Sequence, residues 1–142
     1  FYTDTMSIII IPINYHFSNS SMSNSEASKK LEQRTIEFSE GIIKLCRKVR
    51  ADNVSGPIIN QIVRSGTSIG ANYVEANNAS SRKDFTNKIF ICKKESEETK
   101  YWLKMLLSCC PIEKESTDIL YNECHQLTMI FQKIVSTIRN GK

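Results

Sequence analysis

Ile58 to Ala76 reads IINQIVRSGTSIGANYVEA, and this stretch decides the fold. Ile59, Ile62, Val63, Gly66, Ile69, Gly70 and Tyr73 recur at steps of three and four, the stripe of an amphipathic helix. Pro57 just before it suits a first helical residue, because no partner is needed there for its missing N–H. The centre is built of small residues: Ser65, Gly66, Ser68, Gly70 and Ala71. Each interior glycine costs a helix about 1 kcal/mol relative to alanine. The compensation expected is a neighbouring helix pressed closely onto a flat face. Arg64, Asn72 and Glu75 flank that face with long polar side chains.

Three more helices are predicted around this one. From Glu26 to Arg50, Leu31, Phe38, Ile42, Leu45, Cys46 and Val49 form an apolar stripe, with Ile36 and Ile43 beside it. Ala51 to Gly56, ADNVSG, has turn composition. Ser81-Arg82-Lys83-Asp84 has the form of a capping box that opens a third helix, with Ser81 capping and Asp84 reaching back. That helix runs to about Ser108 through Phe85, Ile89, Cys92, Ser96, Thr99, Leu103 and Leu106. Cys109-Cys110-Pro111 stops it, since the residue before proline avoids helical geometry. The fourth helix, Glu115 to Arg139, spaces Leu120, Cys124, Leu127, Phe131, Ile134 and Ile138 in coiled-coil fashion. No strand pattern competes after residue 26. Four long helices with short connections make an antiparallel up-down-up-down bundle over residues 26–142 the economical all-α fold. Ile36, Ile43, Phe90, Trp102 and Ile130 fall off the inner stripes, so a second apolar face and self-association are expected.

At 142 residues the chain is one domain long, and its net charge of +4 permits an anionic partner without requiring one. The five cysteines are an odd number without CxxC spacing, which reads as small core residues in a reducing cytoplasm and not as a disulfide scaffold. Phe1 to Ser25 differs from the rest, with an apolar run, Ile8–Ile11 and Ile13, followed by NSSMSNS. The run is too short to cross a bilayer and lacks the charged start of a signal peptide. It is expected to be either a disordered extension, with Met22 as a start, or a β-branched arm that pairs with another chain. His16 there carries no assigned role.

Three groups of residues resemble one family. They are Arg64-Ser65-(x2)-Ser68-Ile69-(x)-Ala71-Asn72-(x2)-Glu75, then Ser81-Arg82-Lys83-Asp84-Phe85, then Glu95-(x2)-Glu98-Thr99-(x)-Tyr101-Trp102-Leu103. The family is that of the four-helix-bundle proteins encoded in intervening sequences of 23S ribosomal RNA genes, once mislabelled as ribosomal protein S23. The resemblance covers Leu31 to Ile138. Ala76 stands where the family often has glycine, which bears on how the second helix ends. The resemblance implies an antiparallel bundle, a ring of five protomers and no enzymatic activity. A related branch, the accessory determinant of diversity-generating retroelements, implies nucleic acid or a reverse transcriptase as partner.

Of the chemistry considered, little survives. A di-metal bundle site needs Glu-x-x-His pairs, and His125 with Glu123 has the wrong spacing. Cys124 and His125 are adjacent, so on a helix they point about 100° apart and suit no nucleophile pair. No cofactor is expected. Arg64, Asn72, Glu75, Glu95 and Glu98 are read as a structural polar layer between helices, with a ligand or partner site as the alternative. The nucleic-acid-binding candidates are Arg47, Lys48, Arg50, Arg82, Lys83, Lys93 and Lys94, with Glu95, Glu97 and Glu98 breaking the field. Repeated around a ring, such patches would meet phosphates without reading bases. The competing expectation is a structural or interaction module that partners a nucleic-acid enzyme without touching nucleic acid itself.

Overall fold

The computed structural model describes residues 26–141, so the expectations for Phe1 to Ser25 lie outside the described residues. Four helices follow one another: α1 (Glu26–Lys48), α2 (Ser55–Asn77), α3 (Arg82–Cys109) and α4 (Lys114–Asn140), with a 3-10 turn, Pro111–Glu113, leading into α4. Among the described residues there is no strand. Short connections force consecutive helices antiparallel. The end of α1 therefore shares the upper end of the bundle with the α3–α4 joint, and Ser81 and the end of α4 share the lower one.

The small-residue face of α2 receives α1, as its composition implies. A Cβ built on Gly66 would come within 3.0 Å of Ile42 Cγ1, and one on Gly70 within 3.3 Å of Thr35 Oγ1 and 3.4 Å of the Thr35 carbonyl. Gly70 lets the α1 backbone lie against α2, and Gly66 makes room for the Ile42 side chain. Ile42, Ile62, Ile69, Tyr73, Phe85 and Phe131 fill the space between the helices and are wholly or nearly wholly buried. Burying one such side chain is worth roughly 1.5–3 kcal/mol. Polar pairs within the core fix the helices against each other. Thr99 Oγ1 lies 3.0 Å from Ser65 Oγ across α2 and α3, and Thr128 Oγ1 lies 2.9 Å from Ser96 Oγ across α3 and α4. At the lower end, Ser28 Oγ donates to Asn77 Oδ1 at 2.8 Å and lies 3.2 Å from the Tyr73 hydroxyl.

Several boundaries differ from those read in the sequence. α1 stops at Lys48, leaving Arg50 in the connection. α2 starts at Ser55, ahead of Pro57, with Val54 in the N-cap position and Asp52 folded back onto the amides that open the helix. The Asp52 carboxylate accepts from the Val54 and Ser55 amides, both at 2.8 Å, while Ser55 Oγ accepts from the Asp52 amide at 2.9 Å. Proline in the third helical position costs nothing, since the first four amides lack intrahelical partners anyway. Those amide bonds, from Ser55 first, hold the Asp52 carboxyl below its ordinary range. Ser81 caps α3 by accepting from the Asp84 amide at 3.0 Å, but no return bond from the Asp84 carboxylate forms among the described residues. At the end of α2, Ala76 is fully buried, the Asn78 amide donates to the Glu75 carbonyl and the Ala79 amide to the Ala76 carbonyl, both at 3.1 Å, and Asn78 keeps a negative φ of −106°.

The apolar excess also resolves differently. Ile130 is buried, at 4% exposure, and Phe90 and Trp102 are half-buried. Ile36 and Ile43 are the two that remain in solvent, at 38% and 42%. They lie seven residues apart, which places them on one outward line of α1. Ile59, placed on the inner stripe of α2 by its spacing, is only half-buried.

Candidate functional site

The basic candidates do not form one surface. Arg47 and Lys48 end α1 and Arg50 follows them at the upper end, all exposed. Their positive charge complements the partial negative charge of the helix terminus. Arg82 and Lys83 open α3 at the opposite end. Arg82 Nη2 donates to the Ile138 carbonyl at 3.1 Å and the Gly141 carbonyl at 3.4 Å, so it caps α4 with part of its fork. Lys93 and Lys94 lie along α3 between the two ends. Among the described residues none of Arg47, Lys48, Arg50, Lys83, Lys93 or Lys94 makes an ion pair. The seven candidates thus fall in three separate places on the bundle.

The five polar candidates also divide. Arg64 Nη1 reaches Glu95 Oε2 at 3.2 Å, and its Nη2 pairs with Glu98. Glu98 in turn accepts from Trp102 Nε1 at 3.3 Å. This is the expected tie between α2 and α3, but it sits on the surface, with the Arg64 side chain 47% exposed. Desolvation raises the Glu98 carboxyl, yet the hydrogen bonds from Arg64 and Trp102 and the Arg64 charge outweigh it and hold the group below its ordinary value. Hydrogen bonding to Glu98 raises Arg64 in turn. Glu75 belongs elsewhere: it pairs with Lys88 at 2.5 Å, further down the same α2–α3 seam. Asn72 serves its own helix, donating to the Ser68 carbonyl at 2.8 Å. All five act between or within helices, as a set of surface ties and not as a single buried layer.

A better-buried tie escaped the sequence reading. Arg34 of α1 places Nε 2.5 Å from Glu123 Oε1 of α4, with Nη2 donating to Glu123 Oε2 at 3.0 Å and to Gln126 Oε1 at 3.3 Å. The Arg34 side chain is only 15% exposed, and its Nη1 is buried without a partner. The available signal was its spacing, three after Leu31 and four before Phe38, on the apolar line of α1.

Cys124 and His125 point apart, as adjacent helical residues must. The Cys124 thiol donates to the Ser96 carbonyl at 3.2 Å inside the core, and burial pushes it up to about 12. His125 is exposed, its Nδ1 3.4 Å from the Lys100 ammonium, which also pairs with Glu97 at 2.9 Å. Among the described residues no group of three or more His, Cys, Asp and Glu is disposed to hold a metal ion. No helix of the described residues is long and apolar enough to cross a membrane.

Comparison with known proteins places this geometry. The sequence model described as "23S rRNA-intervening sequence protein" matches residues 27–133. No curated protein matches the chain. Among solved structures, one of a protein with unknown function from the S23 ribosomal protein family of Bacteroides thetaiotaomicron is similar. It is 34% identical, with a TM-score of 0.67 over 78% of this chain and 98% of the other.

Proposed function

The chain belongs to the 23S rRNA-intervening sequence protein family, and from that premise we propose a non-enzymatic bundle that assembles with copies of itself and binds RNA or DNA through its free cations. The observation that carries this is the outer line of α1. Ile36 and Ile43 are exposed there, and Arg47 continues the same line into the unpaired cluster with Lys48 and Arg50. Copies joined through the isoleucines, in a ring of five by the family resemblance, would repeat that cluster around the assembly. Each phosphate it neutralises adds to the salt dependence of binding. Base reading is not expected, because the cations are long, solvated and unconverged. All five thiols are free, in keeping with a reducing cytoplasm.

Filter binding of a structured RNA at low and moderate salt tests this reading. The wild type should bind at low salt and weaken steeply as salt rises. The triple variant Arg47→Glu, Lys48→Glu, Arg50→Glu should bind far less. No binding at low salt, or a triple variant that binds like the wild type, would remove nucleic acid from the proposal. The second reading would then stand: an interaction module for a nucleic-acid enzyme, such as the reverse transcriptase of the retroelement branch. Glu97, exposed among the lysines of α3, favours that reading because it breaks the positive field there.

A further inference from the structure

The isoleucine line of α1 is one half of a contact, and α3 carries a line that fits the other half. α1 and α3 stand at opposite corners of the bundle, with α2 and α4 packed between them, and both run from the lower end to the upper. Their outward lines therefore face opposite ways. A copy that offers α1 on one side offers α3 on the other, which is what a head-to-tail ring needs.

The outward line of α3 is Phe90, Lys94, Glu97 and Tyr101, spaced four, three and four residues apart. Tyr101 is 54% exposed, and no other aromatic among the described residues is exposed. The Trp102 ring stands edge-on to it at 5.0 Å and holds it in place. Tyrosine is enriched in protein interfaces, where its ring packs and its hydroxyl stays wet. Lys94 is exposed and makes no ion pair among the described residues; Glu97 pairs only with Lys100 of its own helix. On the α1 line, Glu37, Glu40 and Lys44 are likewise exposed and without an ion pair among the described residues.

Contacts with α2 set the heights of the two lines. Thr35 and Cys92 meet α2 at Gly70 and Ile69, and Ile42 and Thr99 meet it at Gly66 and Ser65. Thr35 is thus level with Cys92, and Ile42 with Thr99. By the same register Glu37 is level with Lys94, Glu40 with Glu97, and Ile43 with Lys100, next to Tyr101. A closed ring has rotation without rise, so neighbouring copies keep these heights.

On the premise of the self-assembly above, we propose that the α1 line of one copy docks on the α3 line of the next. Ile43 packs on the Tyr101 phenol ring, Lys94 sits between Glu37 and Glu40, and Lys44 meets Glu97. Glu40 and Glu97 share a height, but each has a cation of the other copy within one helical turn. Lys104, near the height of Arg47, is turned aside over the Tyr121 ring at 5.3 Å.

Mixing two variants of the full chain tests this, with light scattering as the readout. Ile43→Lys spoils the α1 line and Tyr101→Glu spoils the α3 line, so each alone should be a folded monomer. Mixed one to one, they still share one intact contact: the α1 line of the Tyr101 variant on the α3 line of the Ile43 variant. The mixture should therefore reach the mass of two chains and stop there. Should Tyr101→Glu fold poorly, Lys94→Glu takes its place. A folded α3 variant that assembles like the wild type, or a mixture that stays monomeric, overturns the α3 line and leaves the α1 assembly standing, with α1 packed on another face. A wild type that is itself monomeric overturns both.

Discussion

Arg64 and Arg34 are both arginines that tie two helices, and their surroundings set different values on them. Arg64 is half in water, so its pairs with Glu95 and Glu98 are worth about 0.2–1 kcal/mol, and Arg64→Ala should lower the melting temperature only slightly. Arg34 is mostly buried against Glu123. Arg34→Ala should cost about 2 kcal/mol, because it strands the Glu123 carboxylate as well as removing the bond. Thermal melts of the two variants check the order; a larger loss at Arg64 would contradict it. Glu98 adds a pH signature. Its carboxyl is lowered in the folded chain, so its stabilisation is full above the ordinary glutamate range and is lost as pH falls through the lowered folded value. The melting-temperature gap between wild type and Glu98→Gln should therefore be open at neutral pH and close in acid. A gap that widens in acid would mean that desolvation dominates.

At the level of the helix, the decisive device is the glycine face of α2. The Gly70 Cβ position faces the Thr35 backbone carbonyl at 3.4 Å, which cannot swing aside as a side chain can. Gly70→Val should push α1 away and cost about 1–3 kcal/mol. Ala71→Val, one residue on and exposed, has the same branching without the contact and should cost only a few tenths of a kcal/mol. Chemical denaturation of both checks this, and equal losses would show that β-branching, not helix approach, is responsible. Much of this level was legible in advance. The three-and-four spacing of Ile62, Ile69 and Tyr73 fixed the inner face, and Pro111 fixed the end of α3. What escaped depended on partners distant in sequence or on reciprocal local bonds. Asp52 and Ser55 read as turn residues, and it is their reciprocal bonds that open α2. Ile130 read as surplus, yet α4 buries it, because its apolar face is wider than one coiled-coil seam. Arg34 went unremarked because its partner, Glu123, lies 89 residues away.

The core of the whole molecule is closed by apolar packing and hydroxyl pairs, whereas the seven candidate cations lie in three places that a single copy does not bring together. Arg82 and Lys83 sit at one end of the bundle and Arg47, Lys48 and Arg50 at the other, separated by α3, whose 28 residues span roughly 42 Å. Under the proposed assembly, neighbouring copies would concentrate that charge, with the exposed Ile36 and Ile43 as the surface that holds them. Light scattering on the wild type and on the double variant Ile36→Lys, Ile43→Lys tests this most directly. The account predicts a multimer of defined mass for the wild type and a folded monomer for the variant. A monomeric wild type, or a variant that assembles unchanged, would contradict it.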